Sequence, residues 1–136
     1  MSHKVKPDFS ISEQAALEEI DQSLRAQGWA AHAKVTWLLR EWQALSASVD
    51  RYDLTIDDYT NDLTARDGLE IALATCPEPL RSKLERVVES ADEQFVTRTQ
   101  EDIGHTLGRY FRIDEASGWW WKRTPDVGQL AELLKN

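Results

Sequence analysis

The sequence predicts a mainly α protein, a five- to six-helix orthogonal bundle with a small C-terminal β-hairpin. Three observations carry this reading. Apolar residues recur at helical spacing through most of 10–98. Capping signals stand at Ser10 and Thr55, and a proline pair separates two of the stripes. After Gly104 the apolar period shortens to two, and β-forming aromatics follow a turn.

Residues 1–9 read as a frayed lead-in, leaving 10–136 as a single helical domain. Ser10 and Glu13 have capping-box spacing. Ile11, Leu17, Ile20 and Leu24 then form a stripe that Gly28 ends. A second helix is expected from about Ala30 to Val49, with Val35, Leu38, Leu39, Trp42, Leu45 and Val49 on one side. Trp37 lies on the opposite side, near Ala33 and Ala44. Such a helix is either central and packed on both sides, or it keeps one face for a partner.

Thr55 and Asp58 mark the next N-terminus, followed by Ile56, Tyr59 and Leu63. Continuing that stripe places Asp67 and Glu70 on it and leaves Leu69 and Leu73 off it. The segment is therefore two helices, about 56–63 and 65–75, or one helix whose buried face changes. Cys76-Pro77-Glu78-Pro79 stops it. Leu80, Leu84, Val87, Val88, Ala91 and Phe95 give the cleanest stripe, and the 79–98 helix is expected to be the spine of the core. Leu107, Phe111 and Ile113 suggest a strand, 114–118 a turn, and Trp119-Trp120-Trp121 a second strand. In a strand Trp119 and Trp121 would face the helices, and Trp120 would be the exposed ring. Pro125 breaks the hairpin, and a short helix with Leu130, Leu133 and Leu134 closes the chain.

A hydrophobic fraction of 41% and a charged fraction of 29% are those of a globular chain rather than a disordered one. A lone cysteine, no signal-like apolar stretch and no apolar run of membrane-spanning length lead to the expectation of a cytoplasmic protein with no membrane partner. The net charge of −8 makes duplex nucleic acid a poor partner, since phosphate binding needs clustered positive charge.

No motif supports catalysis, a metal or a cofactor. Asp102 and His105 have i, i+3 spacing but lack the further carboxylates of a metal-binding bundle. Cys76 has no histidine near it in sequence. Paired acids at Glu18-Glu19, Asp57-Asp58, Asp92-Glu93 and Glu101-Asp102 point about 100° apart on a helix and read as solvated faces.

Two segments say more. Between Asp50 and Glu70 seven acids stand against Arg51 and Arg66, a local net charge of −5. Asp58 and Asp62 lie one turn apart, as do Asp57 and Asn61. Capping and an Asp62–Arg66 pair would account for part of this; the other reading is an acidic docking face of Asp57, Asp58, Asn61 and Asp62 for a basic protein. In 107–123, aromatics alternate with Arg109, Arg112, Lys122 and Arg123, a pattern suited to stacking on a ligand or on single-stranded bases, with Trp120 at its centre. Plain structural packing is the competing explanation. The expectation is a protein-interaction module, by analogy of class an inhibitor or a toxin-immunity-like protein, whose acidic 50–70 segment docks a basic partner. The alternatives are a small-ligand or single-stranded nucleic-acid binder using the 107–123 hairpin, and an enzyme using Asp67, Cys76 or His105.

Overall fold

A computed structural model describes residues 9–51 and 55–135. The expected lead-in over 1–8 and the acidic Asp53 lie outside them. Among these residues five α-helices carry the fold: α1 (Ile11–Ala26), α2 (Val35–Ser48), α3 (Ile56–Thr75), α4 (Leu80–Thr97) and α5 (Gln129–Lys135). A two-stranded antiparallel sheet pairs β1 (Gln100–Glu101) with β2 (Arg123–Thr124), Gln100 opposite Thr124 and Glu101 opposite Arg123. None of the described helices is long and apolar enough to cross a membrane.

Local chemistry explains the helix starts. Both reciprocal bonds of the capping box form at Ser10–Glu13 and at Thr55–Asp58. Glu13 also takes the Lys83 ammonium at 2.9 Å, which ties α1 to α4. Phe9 is already part of the structure, packed on the core beneath Lys83. Gly28, at φ 102°, ends α1 as expected. Ile11 is exposed, so the stripe of α1 begins at Leu17. α2 starts at Val35 rather than Ala30, because the Asp21 carboxylate on α1 accepts the Val35 N–H at 2.9 Å and so fixes that end.

Residues 56–75 are one helix of 20 residues. Its buried face changes along its length: Tyr59, Thr60 and Leu63 first, then Ala65, Arg66, Gly68, Leu69, Ala72 and Leu73. This resolves the broken stripe, since a helix enclosed on several sides needs no single apolar face. α2 packs most extensively on α3 and next on α4. The centre of the core is therefore the α2–α3 pair, and α4 covers it with the expected stripe instead of forming its spine. Trp42, Tyr59 and Phe95 are fully buried where these helices meet.

The C-terminal strands are not where the aromatic pattern put them. Leu107–Arg109 is a 3₁₀ turn, and the Phe111 N–H donates to the Leu107 carbonyl at 2.9 Å. The Leu107–Phe111 spacing is thus one helical turn, which a period of two also fits over so few residues. Trp119–Lys122 is likewise 3₁₀, entered from an extended Gly118. At three residues per turn the three rings point in three directions, whereas a strand would alternate them.

Candidate functional site

The tryptophan segment is held by the helices. Trp120 is buried, contrary to the expectation that it is the exposed ring, and Trp119 is the most open of the three. The indole N–H groups of Trp120 and Trp121 both donate to the Asp67 carboxylate, at 2.8 and 2.9 Å. The Arg66 guanidinium lies 4.4 Å from the centre of the Trp120 ring. Gly118 has no side chain because a Cβ there would overlap the Trp120 ring.

Arg66 does not pair with Asp62. It turns to Asp92 of α4 in a bidentate ion pair at 3.0 Å, with Glu70 further out at 3.5 Å. Asp92 also accepts the Trp42 indole N–H at 2.8 Å. Arg66, Asp67 and Asp92 thus form a polar core that joins α2, α3, α4 and the tryptophan turn, so all three have structural work. Burial raises the Asp67 pKa, and the two indole donors and Arg66 act against that rise.

The basic residues of 107–123 are largely committed as well. The Arg123 side chain donates to Thr99 and Val96, and its backbone carbonyl accepts the Tyr59 hydroxyl. Arg109 donates to the Leu134 carbonyl, and Lys122 is half-buried. Arg112 is exposed, 3.6 Å from Asp114. Of the expected aromatic–basic set, Arg112 stands clearest of the fold, its side chain 92% exposed. A smaller cleft does form beside it, lined by Asp67, Phe111, Arg112, Ile113, Gly118 and Trp121.

The other candidates for chemistry are absorbed by the fold. The Asp102 carboxylate accepts the Gly104 N–H and the Thr124 hydroxyl, and His105 is exposed. Cys76 is buried, which pushes its thiol pKa up, away from the reactive thiolate. Among the described residues no three His, Cys, Asp or Glu side chains converge to hold a metal ion.

The acidic segment behaves differently. Asp58, Asn61 and Asp62 line one cleft, of about 680 Å³, between the first turns of α3 and the start of α2. Asp57 is exposed nearby on α3 and is not part of its lining. Across the cleft stand Glu41 and Trp37 of α2, with Trp29, His32 and Ala33 from the α1–α2 connection. Leu38 and Ala65 are its buried floor. Trp37 is half-buried and packs edge-to-face with His32, ring centres 4.8 Å apart. Gly68 lets Trp29 sit against α3, since a Cβ would lie 3.0 Å from the Trp29 ring and 2.8 Å from Leu38. The off-stripe position of Trp37 was the sequence signal for this wall; Glu41, Trp29 and His32 had none.

Among the described residues no lysine or arginine lines the cleft. With the described residues, Glu41 and Asp62 make neither a hydrogen bond nor an ion pair, while Asp58 caps α3. Burial, and then the charges of Glu41 and Asp58, raise the Asp62 pKa to about 7. The site therefore combines aromatic walls, an apolar floor and carboxylates that have no counter-ion among the described residues; the rings and the carboxylates can each interact favourably with a positive charge. Comparison with protein-family models, with curated proteins and with solved structures finds no match.

Proposed function

We propose that this chain is a binding module for a basic protein, docked through the acidic face at the start of α3. One observation carries the reading: Asp62 stands half-buried in an aromatic-lined cleft with Glu41 and Asp58, and no described cation compensates it. Asp92, Asp67 and Glu13, packed elsewhere in the chain, have partners. An acid kept without one costs stability and gains from a cation brought in by a partner. Asp57 and Asp58 at the exposed edge extend the negative field that would steer a basic surface to the cleft, and Asn61 adds a neutral hydrogen-bonding group beside them.

The test uses short oligo-arginine and oligo-lysine peptides as probes, titrated at low salt and through a salt series. At least one peptide should bind, with affinity that falls steeply as salt rises. Asp58→Lys with Asp62→Lys should abolish binding while the circular dichroism stays helical. Unaltered binding by this double variant, or no binding of either peptide by the wild type, overturns the proposal.

A further inference from the structure

We infer that the cleft between α2 and α3 is a receptor for one arginine side chain of the partner, its guanidinium held between the tryptophan walls and the carboxylates of Glu41 and Asp62. This rests on the basic-partner reading and goes further by naming the group that enters.

The argument is one of fit. A cleft of about 680 Å³ is within the range of small-ligand sites and admits a side chain with its flanking backbone. A wholly apolar guest would leave the cleft's carboxylates desolvated and unpaired. A bare metal ion finds no converging set of ligands among the described residues. An organic cation meets both demands, because indole rings attract positive charge and the carboxylates neutralise it. Between the two cationic side chains the cleft favours arginine. Glu41 comes from α2 and Asp62 from α3, so the acceptors lie on opposing walls. A planar guanidinium carries donors on several edges and can serve both while its faces rest on the rings. An ammonium is a compact, strongly hydrated charge, and entering an aromatic, half-closed site costs it more water.

The experiment uses three peptides that are otherwise neutral and differ at one central position, which is arginine, lysine or citrulline. Binding is followed by NMR through the indole N–H signals of the tryptophans. The arginine peptide should shift Trp29 and Trp37 and leave Trp42, Trp120 and Trp121, whose N–H groups are bonded inside the fold, in place. It should bind roughly tenfold more tightly than the lysine peptide, and citrulline should not bind. Trp37→Leu should lower the arginine affinity by about two- to thirty-fold and remove the preference over lysine. Asp62→Asn should also weaken arginine binding, which keeps the test decisive if Trp37→Leu does not fold. Equal binding of arginine and lysine, or shifts that bypass Trp29 and Trp37, would overturn the arginine receptor. The basic-partner reading would survive that result if oligo-arginine binding still needed Asp58 and Asp62. Failure of every basic peptide to bind would end both.

Discussion

Asp62→Asn should make the protein more stable in neutral and alkaline solution, and by an amount that depends on pH. The carboxyl of Asp62 has its pKa raised from 3.8 to about 7 in the folded chain, first by burial and then by Glu41 and Asp58. A group with a raised folded pKa binds more protons folded than unfolded between those two values. For a carboxylate this means stability is lost as pH rises from about 4 to 7 and then stays level. At 1.36 kcal/mol per tenfold change, the full difference would be at most about 4 kcal/mol. Asp62 keeps partial access to water, so screening reduces this to about 1–2 kcal/mol. Asparagine has nearly the same shape and never ionises, so it escapes this cost. Urea denaturation of both proteins between pH 5 and 8 measures the gap directly. It should widen up to about pH 7, with the variant the more stable, and then hold. A gap independent of pH, or a variant less stable at pH 8, would show that Asp62 is not a strained carboxylate and would remove the reason for reading the cleft as a cation site.

Three further outcomes follow from the same geometry. Arginine-peptide affinity should fall from pH 8 to pH 6 by isothermal titration, because protonating Asp62 removes a negative charge from the cleft. Trp120→Ala should cost about 3–5 kcal/mol in chemical denaturation, as for other buried aromatics, whereas Trp119→Ala, whose ring is 38% exposed, should cost distinctly less; the reverse order would place the turn the other way round. Asp67→Ala should cost about 1–3 kcal/mol, since it leaves two indole donors without an acceptor, and near-ultraviolet circular dichroism should register the altered rings; an unchanged spectrum and stability would refute the clamp.

How much of this was legible in the chain depends on the range of the interactions. Capping boxes at Ser10 and Thr55 involve residues three apart, and the stripe of α4 is a property of one helix, so both were readable. The destination of Arg66 was not. Asp62 and Glu70 are each four residues away, yet the guanidinium bonds to Asp92, 26 positions on, because a bidentate, half-buried pair beside Trp42 and Trp120 is stronger than an exposed helical one. That long-range choice is what leaves Asp62 unpaired. The tryptophan run failed for a related reason. Strand alternation was inferred from the rings themselves, but Asp67 draws two neighbouring indole N–H groups to one point, which a strand would send to opposite faces. The smaller candidate set at the acidic face was nameable from charge and one-turn spacing, while the residues opposite it, Glu41, Trp29 and His32, come from segments that only the packing of α2 on α3 brings there.

The acids of this chain therefore divide by what they meet. Asp92 and Asp67 sit where helix packing supplies an arginine or indole donors, Glu13 caps α1 and holds Lys83, and Asp102 organises the turn after β1. Each of these is fixed by partners within the fold, so its charge is not available to anything outside. Asp62 and Glu41 have the same chemistry and a comparable degree of cover but no such partner among the described residues. Nothing in helix propensity demands them, since alanine would suit α2 at 41 and α3 at 62 better, and leucine would also suit position 62 better than aspartate. If the cleft had no guest, an apolar residue at 62 would give the domain a larger core at no cost to its architecture. A half-buried carboxylate facing a second one, in a cleft that Trp29 and Trp37 also line, is what a site for an incoming cation requires, and the stability measured for Asp62→Asn tests whether that carboxylate is under strain in the free protein.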